Sequence, residues 1–397
     1  MDSPKNYLPE DNQSVMIRSM KKIKEFIQKE AVLCIALILA VLSSFVVLPD
    51  KQYIDYIDFR TLALLFCLML VMAGLQKLGV FRVIAERLLG RVKRSGQLIS
   101  ILVLLCFFFS MLITNDVALI TFVPFTFTVL RLLGEEAERR LVIPVVVLQT
   151  VAANLGSMLT PIGNPQNLYL YAKAGLSVGA FMLLMLPYTL VSLGLLLICC
   201  WVLGRQNKST ALTVSFSEQT GLKGKGRYLA VYLLLFLLCL LTVAHVLPTV
   251  AVLVIVLAAV LILDRKVVGS VDYSLLLTFI GFFIFIGNMG RIPAFCNFLE
   301  GLVRGNEVFT ATISSQVISN VPAALLLSGF TENYEGLIIG TNLGGLGTLI
   351  ASMASLISYK YIARESGVGN IKSKYLLVFS LVNICFLAVL VVVYTVM

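Results

Sequence analysis

Residues 154–168 read NLGSMLTPIGNPQNL and residues 342–350 read NLGGLGTLI, each inside an apolar run long enough to cross a bilayer. Both put amides, hydroxyls and helix breakers where a spanning helix would be smooth. Pro165 removes a backbone donor, and Gly156 and Gly163 permit unusual dihedrals. Broken backbone at membrane depth survives only where protein buries it or where it lines a cavity. When Asn154 is set against Asn342, five of nine positions agree. The two interruptions therefore read as one element used twice.

Working outward, the 397 residues are 59% hydrophobic and only 13% charged, about half the charge of a soluble chain. Apolar runs fit nine spans at about 31–48, 59–79, 141–172, 179–203, 228–244, 249–263, 274–290, 336–360 and 375–396. The net charge of +10 is gathered in short segments between runs, at 18–29, 82–94, 131–140, 205–227, 264–266 and 360–374. That is the positive-inside pattern, not a nucleic-acid surface. It places the N-terminus in the cytoplasm and the C-terminus outside a cell membrane. Residues 1–30 show no cleavable signal, and 15–30 suggest an amphipathic helix lying on the membrane. Seven of the eight cysteines lie in apolar runs without metal or CxxC spacing, so they read as packing residues. His245, the only histidine, and Trp201 read as interfacial.

Two apolar stretches do not fit as spans. Residues 98–133 start and end beside basic loops and carry Thr114-Asn115-Asp116 at their midpoint. Two full crossings with a turn would take about 40 residues, so each arm is expected to be short. Residues 308–330 are broken by Ser319-Asn320-Val321-Pro322. Both read as re-entrant hairpins entering from opposite sides. Each half then runs in one order: an Asp opening a span (Asp58, Asp272), a hydroxyl-Asn tip, and a Gly-rich break. The expected fold is all-α and polytopic, with inverted repeats at 31–203 and 249–397 joined by a loop and linking span at 204–248.

Freed carbonyls and Asn, Ser and Thr oxygens in such breaks are hard ligands suited to Na⁺, and resumed half-helices offer N–H groups to an anion. Small residues also let helices pack closely, which is the plain alternative for Gly344, Gly345 and Gly347. Asp116 is the only carboxylate deep in an apolar stretch. An intramembrane acid is a functional candidate by default, as cation ligand or proton carrier. The alternative is an N-cap on the returning arm.

The motifs TNDVALITFVPF (114–125), TPIGNPQNL (160–168), SNVPAALL (319–326) and GTNLGGLGTLIASMASLI (340–357) resemble the ion transporter superfamily. Within it they are most similar to citrate-transporter-like and arsenite-pump-like permeases, relatives of the divalent anion:Na⁺ symporters. The resemblance covers about residues 31–396. It implies a scaffold and a moving transport domain, an elevator motion, and a homodimer. It also implies substrate binding by Thr114, Asn115, Asn164, Asn167, Ser319, Asn320 and Thr348. Cation or proton coupling falls to Asp116, Asn154, Gly156, Asn342 and Gly345. Where dicarboxylate symporters carry a second hydroxyl residue after the tip Asn, this chain has Asp116 and Val321. That departure points toward the arsenite-pump branch.

The function expected is secondary transport of a small anion or oxyacid coupled to H⁺ or Na⁺, with no cofactor beyond a coupling Na⁺. A Na⁺/H⁺ antiporter using Asp116 is the alternative. An intramembrane hydrolase is disfavoured, because no embedded nucleophile–His pair is visible.

Overall fold

A computed structural model describes residues 30–90, 92, 94–132, 134–206, 224–365 and 371–397, which are mostly helical with no β-strand among them. The first part runs α1 (Ala31–Val46), α2 (Gln52–Asp55), α3 (Phe59–Leu78), α4 (Val80–Leu89), α5 (Ser95–Ile113), α6 (Asn115–Leu132), α7 (Glu135–Ser157), α8 (Pro165–Ala174) and α9 (Val178–Gln206). The second runs α10 (Gly226–Val243), α11 (Thr249–Asp264), a 3₁₀ turn, α12 (Tyr273–Met289), α13 (Pro293–Val303), α14 (Glu307–Ile318), α15 (Asn320–Leu327), α16 (Tyr334–Leu343), α17 (Met353–Glu365) and α18 (Ile371–Val396). The amphipathic segment expected at 15–30 lies outside the described residues except Glu30.

Local chemistry sets these boundaries. Asp58 caps α3 by accepting from the Thr61 N–H at 2.9 Å, and Asp272 caps α12 by accepting from the Leu275 N–H at 3.1 Å. Their backbone angles, φ −78° with ψ 82° and φ −78° with ψ 84°, are nearly the same. The two aspartates that open matching spans are thus repeated helix caps. Gly79, at φ 83°, ends α3 and starts α4 without a Cβ penalty. Pro165 and Pro293 occupy first-turn positions, where a missing N–H costs nothing.

Among the described residues, seven helices are long and apolar enough to cross a membrane, or eight if α12 and α13, bent by 108°, make one span. The chain is a multi-pass membrane protein. The expected span at 31–48 is met by a helix of 16 residues and that at 249–263 by another of 16, each about 24 Å at 1.5 Å per residue. The span expected at 336–360 is divided between α16 and α17. Burial separates inner helices from outer ones: 89% of the membrane-length window of α7 is buried, against 22% for α18 and 28% for α10. α7 is therefore the axle of the bundle, packed by α5, α6, α17 and α18. Outward faces carry large apolar side chains such as Ile262 (85% exposed) and Val250 (73%), as lipid contact requires.

The first hairpin corrects one expectation. Its arms, α5 and α6, have 19 and 18 residues, about 27–29 Å each, and both pass as membrane-length helices. The first arm begins at Ser95, just before the apolar stretch, and Thr114 alone makes the turn. The arms fold back on each other. Gln149 Nε2 donates to the Leu102 carbonyl on one arm at 3.1 Å and to Thr126 Oγ1 on the other at 2.8 Å, positions equally far from Thr114. The second hairpin is shorter, with arms of 12 and 8 residues joined by Ser319.

Candidate functional site

Each hairpin tip closes onto the break of its own half, and the bonds repeat. Beyond Thr114, the Asn115 N–H donates to the Gly163 carbonyl at 3.1 Å; beyond Ser319, the Asn320 N–H donates to the Ala351 carbonyl at 3.0 Å. The Thr160 hydroxyl donates to the Met111 carbonyl in the first half. In the second, the Thr348 hydroxyl donates to the Gln316 carbonyl at 2.9 Å. Each tip amide turns its Oδ1 to the next backbone N–H, Asp116 at 2.9 Å and Val321 at 3.0 Å. The aligned NLG segments occupy equivalent places. A Cβ on Gly156 would lie 2.6 Å from Ser110 Oγ, and one on Gly344 would lie 2.6 Å from Ser315 Oγ.

The irregular backbone is narrower than expected. Asn154 and Gly156 remain in the last turn of α7, Asn342 in the last turn of α16, and Asn167 in the first turn of α8. Residues 158–164 and 344–352 are the non-helical pieces. Glycine is tolerated inside a helix, and at Gly156 its use is close approach: a Cβ would come within 2.0 Å of the Phe107 carbonyl. Conformational freedom matters instead at Gly347, whose φ is 104°.

Asn154 joins the two halves. Its Oδ1 accepts from Asn115 Nδ2 at 3.1 Å and Ser352 Oγ at 3.0 Å, and its Nδ2 donates to the Gly345 carbonyl at 3.3 Å. Asn342 reciprocates through Nδ2 to Asn167 Oδ1 at 2.7 Å. Asn164 Nδ2 reaches Ser157 Oγ at 2.7 Å, and Asn167 Nδ2 reaches the Ser157 carbonyl at 3.3 Å. The sequence-selected Asn residues, with Gly156, Ser319 and Gly345, are therefore buried around the two breaks. Thr114 and Asp116 are half-buried on the far side of the first tip, and Thr348 is exposed and ties break to hairpin.

Several polar atoms in this region have no protein partner. Asn342 Oδ1 and Asp116 Oδ1 are buried and unpaired. Asn320 Nδ2 has no hydrogen bond among the described residues, and would lie 3.2 Å from a Cβ on Gly345. Gln166 is fully buried, with neither Nε2 nor Oε1 paired. It lies one turn before Tyr169, whose hydroxyl bonds Ser328 Oγ at 2.9 Å beyond the end of α15, so Gln166 shares the α8 face turned to the second hairpin. A buried amide without partners costs about 1–3 kcal/mol per group, so its retention calls for a partner outside the chain, a buried water or a ligand.

Gln166 and Gln316 were not picked out by sequence. Gln316 Nε2 donates to the Gly344 and Leu346 carbonyls at 3.0 and 2.9 Å, and its Oε1 accepts the Thr348 N–H at 2.9 Å. Only the presence of a long amide in an apolar arm could have flagged it. His245 lies elsewhere, stacked on Tyr171 at 5.5 Å and bonded to Arg60. Burial and the neighbouring Arg60 charge hold its imidazole below the usual histidine range.

Twin tips locked into twin breaks, inside a bundle with lipid-facing walls, define a membrane transporter with a buried polar site. The chain belongs to the citrate transporter family, whose model matches residues 16–333. It is 34% identical over 322 residues to the inner membrane protein YbiR of Escherichia coli strain K12, covering 80% of this chain and 84% of that one. It is 32% identical over 351 residues to the uncharacterized transporter MJ0456 of Methanocaldococcus jannaschii, covering 87% and 92%. The silicon efflux transporter LSI3 of Oryza sativa subsp. japonica is 35% identical over 160 residues, 39% of this chain and 32% of that one.

Proposed function

We propose that this chain is a secondary active transporter for a small anion or oxyacid, coupled to H⁺ or Na⁺, and that its substrate binds between the Thr114–Asn115 and Ser319–Asn320 tips. The observation that carries this reading is the repeated docking of the tips, Asn115 on Gly163 and Asn320 on Ala351. Two such half-sites in opposed repeats suit alternating access, in which a transport unit of hairpins and broken helices slides as an elevator within a homodimer. Basic loops favour cytoplasmic N- and external C-termini.

The chemistry of the unpaired atoms narrows the substrate. Gln166 offers a donor and an acceptor, Asn342 an acceptor and Asn320 a donor. None of the described hydrogen-bond partners in the cluster is Lys, Arg or His. A multiply charged anion without a cationic partner pays a large desolvation penalty. The arrangement therefore favours a weakly charged oxyacid, or an anion that enters with its cation. The relative described as a silicon efflux transporter is consistent with the former, and the family's citrate description with the latter.

Asp116, with one oxygen buried and unpaired, supports a second reading as a Na⁺/H⁺ antiporter. The two transport readings separate in a thermal-stability screen of purified protein, because a ligand that binds the folded state raises Tm by mass action. An oxyacid or carboxylate that raises Tm supports substrate transport. A response to Na⁺ and pH with none to any oxyacid or carboxylate overturns it in favour of the antiporter.

A further inference from the structure

A cavity of about 170 Å³ lies behind the first tip, where α3 faces α6, the start of α8 and the start of α12. Its walls are mostly apolar side chains, and its polar lining is Gln76, Thr114, Asp116, Ser270 and Asp272. Ser270 and Asp272 are exposed at one end of the bundle, whereas Asp116 Oδ1 is buried without a partner. The volume holds a handful of waters at about 30 Å³ each.

The repeat shows what is special about this place. Asp58 and Asp272 cap matching helices in the same geometry, yet their carboxylates are used differently. Asp58 spends both oxygens on Thr61, accepting from its N–H at 2.9 Å and its hydroxyl at 2.6 Å. Asp272 accepts only from the Leu275 N–H, because leucine replaces the threonine, and its second oxygen has no described partner. The tips differ in the same sense, with Asp116 in the first and Val321 in the second. Both departures from the repeat leave carboxylate oxygen uncommitted, and both residues line the one cavity.

We infer that this cavity is the entry path of the coupling cation, with Asp272 at its mouth and Asp116 at its inner end. "Coupling" rests on the transport reading above; the cation-selective path rests on the cavity alone. A low-dielectric cleft lined by carboxylates concentrates cations about tenfold or more. Either a hydrated proton or Na⁺ fits this chemistry.

The test uses the full chain in membranes, with its eight native cysteines replaced and Ala73→Cys, which lines the cavity, as reporter. A cationic methanethiosulfonate should modify this thiol about tenfold faster than an anionic one of similar size. Asp272→Asn, which keeps the helix cap, should collapse that ratio toward one. Asp58→Asn should leave it intact. An unreactive thiol, equal rates for the two reagents, or a ratio unmoved by Asp272→Asn each overturns the path. In proteoliposomes, Asp272→Asn should raise the half-saturating concentration of the coupling cation several-fold. A shift on the pH axis identifies H⁺, and one on the sodium axis identifies Na⁺. Charge-selective labelling without any cation-dependent transport would keep the path and overturn the transporter reading.

Discussion

Thr114 and Ser319 share one backbone conformation, φ 63° with ψ 148° and φ 74° with ψ 156°, although neither is glycine. Among the described non-glycine residues only His245 also has positive φ. This region is nearly closed to side chains bearing a Cβ, and occupying it costs of order 1–3 kcal/mol. The same strain at both tips marks them as equivalent parts held by their surroundings. Each is followed by an Asn whose N–H is tied to a break carbonyl.

The cost should be recoverable. Thr114→Gly and Ser319→Gly remove the Cβ conflict, so each is expected to hold or raise stability, by about 1 kcal/mol at most. Transport should fall, because the tip loses its hydroxyl and its fixed shape. Thermal unfolding in detergent with parallel uptake assays checks this. Loss of stability in both variants would contradict the strain.

The helix-end glycines predict an asymmetric rescue. Gly344→Ala meets the Ser315 side chain at 2.6–2.7 Å, while Gly156→Ala meets the Phe107 backbone carbonyl at 2.0 Å. Both are expected to destabilise by about 1–3 kcal/mol or more. Adding Ser315→Gly should restore part of the Gly344→Ala loss, the Gly340 carbonyl at 2.8 Å from the new Cβ remaining, whereas Ser110→Gly should restore little of the Gly156→Ala loss. Unfolding midpoints of the four variants measure the difference.

Gln166 carries the sharpest trade. Replacing a buried amide that has no partners with a similar-sized apolar group removes a desolvation cost. Gln166→Leu should therefore unfold at the same or a higher temperature than the parent chain, by about 1–2 kcal/mol. It should also lose the ligand-induced rise in Tm. A Gln166→Leu chain that is less stable, yet still responds to ligand, would place the amide in a structural role.

Much of this was legible in the sequence because polar residues and helix breakers are rare in apolar runs. Thr114-Asn115-Asp116, Ser319-Asn320 and the two NLG segments announced the tips and breaks, and Asp58 and Asp272 announced the matching helix starts. What the sequence hid was the use of each group. Gly156 reads as a breaker but continues α7, since its missing side chain serves packing. Thr348 reads as a ligand, and the structure adds that its hydroxyl also ties the break to the Gln316 carbonyl. The arms of the first hairpin read as short because a turn was allotted several residues, whereas Thr114 makes it alone. The isolation of Gln166 depends on what surrounds a side chain in three dimensions, which no spacing rule reports.

The central claim, that substrate binds between the tips, is tested most directly at Asn320, whose side-chain N–H₂ group has no described protein partner. Asn320→Ala should be measured for gradient-driven uptake into proteoliposomes across a panel of oxyacids and carboxylates, alongside its unfolding midpoint. The predicted result is loss of uptake of whichever compound the parent chain accumulates, with stability lowered by only about 1–2 kcal/mol, the worth of the two local hydrogen bonds that Asn320 Oδ1 accepts from the Val321 N–H and the Ser319 hydroxyl. Uptake by Asn320→Ala at the parent rate and affinity would contradict the claim.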